Sequence, residues 1–317
     1  MIIKEKYDFV IIGSGFGGSV SALRLAEKGY SVLVIEKGKK FESGDFPKTN
    51  WNLRKWLWLP GLKFFGIQKL NFLRHISALS GVGVGGGSLV YANTLPKPRS
   101  PFFNQGSWKG LADWENELAP HYDTAWRMLG AALNPVLAES DRAMQQLAAK
   151  MNKAGQFSPT TVAIYFGEPE VTVKDPYFDG KGPDRSGCRH CGACMTGCRH
   201  NAKNTLDKNY LHLAQQLGVT ILPENEVTAV KPLGKNGMEG YEISFRQSTK
   251  YFSRTKTVNA GGVIFAGGVF GTIPLLLKLK KTTLPGLSNR LGHMIRTNSE
   301  ALIYVTTADK SRELHKG

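Results

Sequence analysis

Residues 7–36 read YDFVIIGSGFGGSVSALRLAEKGYSVLVIE, and the order of residue types within them decides the fold. Tyr7 to Ile12 is a short run rich in β-branched and aromatic residues, the composition of a buried strand. It leads directly into GSGFGG, where Gly13, Gly15 and Gly18 supply the full G-x-G-x-x-G spacing. Ser19 to Lys28 has helical periodicity, Gly29 suits its C-terminal cap, and SVLVIE from 31 to 36 reads as a second buried strand ending in Glu36.

Each part has a physical task in a dinucleotide site. Gly13 permits a tight turn, Gly15 lets backbone approach a pyrophosphate, and Gly18 lets helix pack on strand. The helix N-terminus then offers unpaired N–H groups and the positive end of its dipole to the phosphates. Glu36 stands where an acid reaches a ribose hydroxyl, which argues against a 2′-phosphate and hence against NADP, without separating NAD from FAD.

A second glycine run bears on that choice. In SGVGVGGGSLVYANTLPKP, residues 80–98, seven of the eight residues after Ser80 are Gly or Val. So many glycines indicate backbone lying close against another group, and a cofactor spread over two such loops is longer than one mononucleotide.

These motifs together resemble the glucose-methanol-choline (GMC) oxidoreductase family of flavoproteins, in its cholesterol-oxidase-like branch. GSGFGG is followed by VIEKG and GVGVGGGSLVYANTLPKP, and later stretches agree: WENELAPHYDTAWRMLGA at 114–131, NAKNTLDKNYL at 201–211, GGVFGTIPLLLK at 267–278 and LSNRLGHMIRTNSEA at 287–301. The resemblance spans essentially the whole chain. It implies an α/β fold: a Rossmann-like, glutathione-reductase-like FAD-binding domain with an inserted, incomplete α+β substrate domain. The expected division is 1–110 and 190–300 for the FAD domain, with a helix over 206–217 and a strand VIFA closed by Gly267, 111–189 for the insertion, with helices over 113–129 and 140–154, and 301–317 for the start of a truncated substrate domain.

The resemblance further implies oxidation of a hydrophobic alcohol such as a sterol, with hydride transfer to the flavin N5. Gly13, Gly15, Phe16, Gly17 and Gly18 would lie at the pyrophosphate and Glu36 at the adenosine ribose. Gly87 and Ser88 would lie beside the isoalloxazine, where Tyr91 replaces the Asn of many family members. Val227 would offer its backbone to the adenine, and Gly267 with Gly268 would bring a second strand-to-helix turn to the cofactor.

The general base of this family is a His far toward the C-terminus with a polar partner beyond it, and neither has a matching position before Gly317. The seven histidines, His75, His121, His190, His200, His212, His293 and His315, fall in segments that match non-catalytic stretches. The expectation is the FAD-binding part of such an enzyme, as a fragment, the product of a split gene, or a chain completed by a second polypeptide. The competing expectation is a non-catalytic or partner-dependent FAD-binding electron-transfer chain with an iron-sulfur cluster.

That competing reading rests on CRHCGACMTGC at 188–198, which holds all four cysteines: Cys188, Cys191, Cys194 and Cys198. C-x2-C-x2-C-x3-C is a ferredoxin spacing, and all four thiolates would serve one [4Fe-4S] cluster. Against it, Arg199 stands where the ferredoxin run has Pro, and no second cluster can be built. Zinc and reduced structural cysteines both remain open, whereas disulfides are disfavoured in a reducing compartment.

Charge and apolar patterning complete the expectations. Lys and Arg outnumber Asp and Glu by 41 to 25, a formal charge of +16, but the excess is dispersed, with no stripe that would mark a nucleic-acid partner. The start MIIKEKYDFVIIG lacks the layout of a secretory signal, which points to the cytoplasm. Uncharged stretches at 76–96 and 257–277 are crowded with glycine and read as strand, turn and helix rather than membrane spans. Residues 50–74, NWNLRKWLWLPGLKFFGIQKLNFLR, combine six Trp and Phe residues with five Lys or Arg and no acid. That composition suits either a lid packed over a flavin or peripheral contact with anionic lipid.

Overall fold

The computed structural model describes residues 3–296, 306–309, 311, 312 and 314. The expected start of a substrate domain at 301–317 therefore falls mostly outside the described residues, as does His315. The chain forms two compact units: Met1–Tyr91, Met195–Arg199 and Leu206–Thr306 make the first; Ala92–Cys194, His200–Thr205 and Thr307–Gly317 make the second. The first break thus falls at Tyr91, earlier than residue 110, because the chain leaves the first unit as soon as the second glycine run ends.

The first unit is built on a six-stranded sheet. Its elements are β1 (Lys6–Ile12), α1 (Phe16–Glu27), β2 (Val32–Ile35), α2 (Tyr210–Gln216), β3 (Thr220–Leu222), β4 (Asn225–Pro232), β5 (Tyr241–Gln247), β6 (Lys256–Phe265) and α3 (Val269–Lys280). The sheet runs β3-β2-β1-β6-β5-β4. Its first four strands are parallel and its last three form an antiparallel meander. All four residues of β2 are buried, as a strand covered on both faces requires.

Helix α1 packs beside α2, and α3 packs on β4. The core gathers Val10, Leu33, Ile35, Ile243, Phe245 and Leu279, with side chains from both the parallel and the antiparallel halves of the sheet. Each fully buried aliphatic side chain of this size contributes about 1.5–3 kcal/mol relative to exposure.

Two expected elements differ. The helix expected over 206–217 is broken into a 3-10 turn, Leu206–Lys208, and α2, because Asn209 takes φ −137° and ψ −99°. Its side-chain Oδ1 accepts from the Tyr210 N–H at 2.7 Å, so the helix restarts with its own cap. Strand β6 begins at Lys256, well before the apolar run VIFA, since its polar start pairs with β5 before β1 joins at Asn259.

Residues 50–74 form no single helix. A four-residue helix, Leu53–Trp56, precedes a tight ribbon of Trp58–Leu59 with Phe64–Phe65 around Pro60–Leu62, and Gln68–Phe72 pairs with Ser77–Gly81. Among the described residues no helix is long and apolar enough to cross a membrane.

The second unit holds helices Trp114–Met128 and Glu139–Lys150 with two-stranded ribbons of Ala132–Leu133 with Thr161–Val162 and of Thr172–Val173 with Arg185–Ser186. Asp113 caps the first helix, its Oδ1 accepting from the Asn116 N–H. The turn 175–182 is held by Asp175, whose carboxylate accepts from the N–H groups of Tyr177, Phe178, Gly180 and Gly182 at 2.8–3.1 Å.

Candidate cofactor site

The carboxyl ends of β1, β2 and β6 place Gly13, Glu36 and Gly267 along one edge of the sheet, where open α/β sheets bind their ligands. Gly13 leaves β1 at φ +104°, and a Cβ on it would lie 2.6 Å from the Ala266 carbonyl oxygen. A Cβ on Gly18 would fall 2.0 Å from the Gly13 oxygen, so α1 sits directly on the turn. No side chain caps α1 at Gly15, which leaves the N–H groups of its first turn to an anion.

The second glycine run meets the first backbone to backbone. A Cβ on Gly86, at φ +55°, would lie 2.7 Å from the Gly15 Cα. Beside this meeting point Phe16, 41% exposed, packs edge-to-face on Tyr91 with ring centroids 5.7 Å apart. Gly87 faces the same Phe16 ring. Ser88 is fully buried, and its hydroxyl donates to Gly85 O at 2.7 Å while accepting from Leu206 N at 3.0 Å. Its role is therefore to shape the loop.

Glu36 is 7% exposed. Its Oε2 accepts from both the N–H (3.1 Å) and the hydroxyl (2.8 Å) of Ser14, and its Oε1 accepts from Gly38 N at 2.8 Å. The Glu36 backbone joins the neighbouring strand segment, donating to Leu222 O and accepting from Asn225 N. Val227 follows on β4 beside a register shift, with its side chain in the core. Gly268 starts α3 at φ +66°.

The structure thus gathers the expected glycines, Glu36 and Tyr91 in the first unit. Sequence reasoning missed Ser14, which is fully buried between the glycines, and Gly38, whose Cβ would lie 2.2 Å from Gly83 N. The one signal for Ser14 was a small polar residue at the first variable place of the glycine motif. In the second unit Asn93 is 2% exposed at φ +69°, and its Oδ1 has no hydrogen-bond partner among the described residues. That unit also carries an open depression of about 540 Å³ lined by Trp126, Tyr165, Phe166 and Tyr177, which none of the expected site residues reaches.

The family model for FAD-dependent oxidoreductases matches residues 8–313. The chain belongs to the FAD-dependent oxidoreductase family. It is 46% identical over 98% of its length to a cholesterol oxidase of Acinetobacter baumannii and, at the same identity and coverage, to one of Mycobacterium tuberculosis. It is also 26% identical, over 93% of its length, to a GMC-type oxidoreductase of Mycobacterium tuberculosis, covering 42% of that protein. The GMC resemblance drawn from the glycine motifs therefore holds. The chain spans 57% and 55% of the two cholesterol oxidases' own lengths.

The residues of this FAD-oxidoreductase chain fit the cofactor of its family. Two backbone loops meet with no side chain between them, an uncapped helix starts at their meeting point, and a carboxylate with acceptor capacity left is bonded to Ser14 beside it. The four cysteines all fall within residues 188–198. All four are half-buried, and among the described residues no three or more Cys, His, Asp or Glu side chains converge to hold a metal.

Proposed function

We propose that this chain binds FAD along the β1–β2–β6 edge and serves the oxidation of a hydrophobic alcohol of the sterol type. The observation that carries the proposal is the backbone contact of Gly15 with Gly86 above a buried, hydrogen-bonded Glu36. Bound there, FAD supplies an acceptor for the hydride leaving the alcohol carbon. Gly13, Gly15, Phe16, Gly17 and Gly18 bring the start of α1 to the pyrophosphate, and Glu36 holds the adenosine ribose. Val227 borders the adenine, Gly267 and Gly268 close the ridge from α3, and Gly87, Ser88 and Tyr91 shape the flavin end.

The substrate class rests on the 46% identity to cholesterol oxidases. Among the described histidines, His75, His121 and His293 are exposed, His190 is stacked on Phe166, His200 is half-buried, and His212 meets the Gln216 amide through Nε2. Reconstitution with FAD, followed by absorbance, tests binding; flavin bands are expected, and a chain that takes up none sinks the proposal. A broad brown absorbance from protein purified without oxygen, lost on changing the cysteines to serine, would instead favour the electron-relay reading. Oxidation of a 3-hydroxysterol in the presence of an artificial electron acceptor tests the substrate class.

The aromatic segment supports peripheral attachment to anionic lipid. Trp51, Leu62 and Phe72 are 89%, 62% and 76% exposed among the five cations of residues 50–74. Phe252, on a loop whose Tyr251 hydroxyl bonds the Pro60 and Gly61 carbonyls, is 98% exposed. Trp58, by contrast, is buried against Phe65, so part of the segment is packing. Co-sedimentation with phosphatidylserine vesicles, weakened by salt and by Trp51→Ala with Phe252→Ala, is expected; equal pelleting with neutral vesicles would contradict the electrostatic part.

A further inference from the structure

Ser14 has no side-chain task in the glycine motif as that motif is usually read, yet it is fully buried and joins three segments of the first unit. Its hydroxyl accepts from Gly85 N at 3.1 Å and lies 2.8 Å from Glu36 Oε2 and 3.3 Å from Gly83 O. A hydroxyl carries one proton, so it donates to one of these two acceptors. The carboxylate is nearer and charged, and charge-assisted bonds are the stronger, so the proton goes to Glu36. A continuous chain results: Gly85 N–H to Ser14 Oγ, and Ser14 O–H to Glu36 Oε2.

The consequence lies in what Glu36 has left. Three donors, Ser14 N, Ser14 Oγ and Gly38 N, occupy three of its roughly four acceptor sites. The carboxylate is thereby fixed in orientation, with about one site free for a ribose hydroxyl. The same serine ties that acid to the loop that contacts Gly15.

We propose that Ser14 is a positioning residue: it aims Glu36 at a ribose hydroxyl and couples that end of the site to the 83–88 loop. This rests on the FAD reading above. Removing the hydroxyl leaves the Gly85 N–H without its acceptor and lets the Glu36 carboxylate turn.

The test uses the full chain and two small ligands, ADP and 2′,3′-dideoxy-ADP, with affinities read by calorimetry. Unaltered protein is expected to prefer ADP. Ser14→Ala should weaken ADP about tenfold, the scale of one hydrogen bond to a charged group, while changing the dideoxy analogue about twofold at most. In a Glu36→Gln background Ser14→Ala should add little, because the serine acts through the acid. Ser14→Cys, nearly the same size but a poor hydrogen-bonding group, gives the same readout should the alanine protein fail to fold. Equal losses for both ligands, or additive losses with Glu36→Gln, would overturn the positioning role. Unaltered protein that binds neither ADP nor FAD would overturn the cofactor reading itself.

Discussion

Glu36 is a buried carboxylate whose two oxygens are both bonded by neighbouring donors, so a neutral amide there presents an N–H₂ to groups that need an acceptor. Glu36→Gln should lower FAD affinity by about 10–100-fold, the range expected for losing hydrogen bonds to a buried charge, measured by flavin fluorescence on titration. The glycines divide in the same way. Gly18→Ala places a methyl 2.0 Å from the Gly13 oxygen and should cost about 1–3 kcal/mol in urea unfolding. Gly17→Ala meets nothing within 4 Å and should leave stability equal or higher, since alanine favours helix. The motif's spacing was readable in the sequence because each glycine answers a local need. Ser14 was not, because its partners lie 22 and 71 residues away.

At the scale of elements, the strand, helix and strand of β1, α1 and β2 were legible because apolar runs and turn residues coincide along one short stretch. The break at Asn209 was not legible: the 206–217 segment looks helical throughout, but Leu206 N is taken by the Ser88 hydroxyl, a partner 118 residues away. The turn at Asp175 yields a pH prediction. Burial pushes its carboxyl up, but the N–H groups of Gly182, Tyr177, Phe178 and Gly180 outweigh this and hold it below the usual carboxylate range. A depressed folded-state pKa adds stability above the unfolded value of about 3.9, lost as pH falls through the folded one. Asp175→Asn should therefore lower the melting temperature at pH 7, and the difference should shrink as the pH is lowered below about 4.

For the whole molecule, the Rossmann-like class and the family followed from motifs that recur in order along the chain. The first unit's limit at Tyr91 did not, because no change of composition marks it. The net charge of +16 lies almost wholly in the first unit, which carries the aromatic segment, so salt should weaken vesicle attachment more than it weakens FAD binding, which also uses neutral backbone donors. The fate of the chain after synthesis follows from the pairing of β1 with β6. Their register joins Lys6 to Asn259 and Ile12 to Phe265, and the Gly13 turn rests on Ala266. A chain ending before Lys256 lacks the strand on which the Gly13 turn rests and should retain no flavin on gel filtration. On the ribosome, then, the glycine turn emerges early but gains its neighbour only after some 250 further residues have been added, so cofactor loading waits for the synthesis of β6.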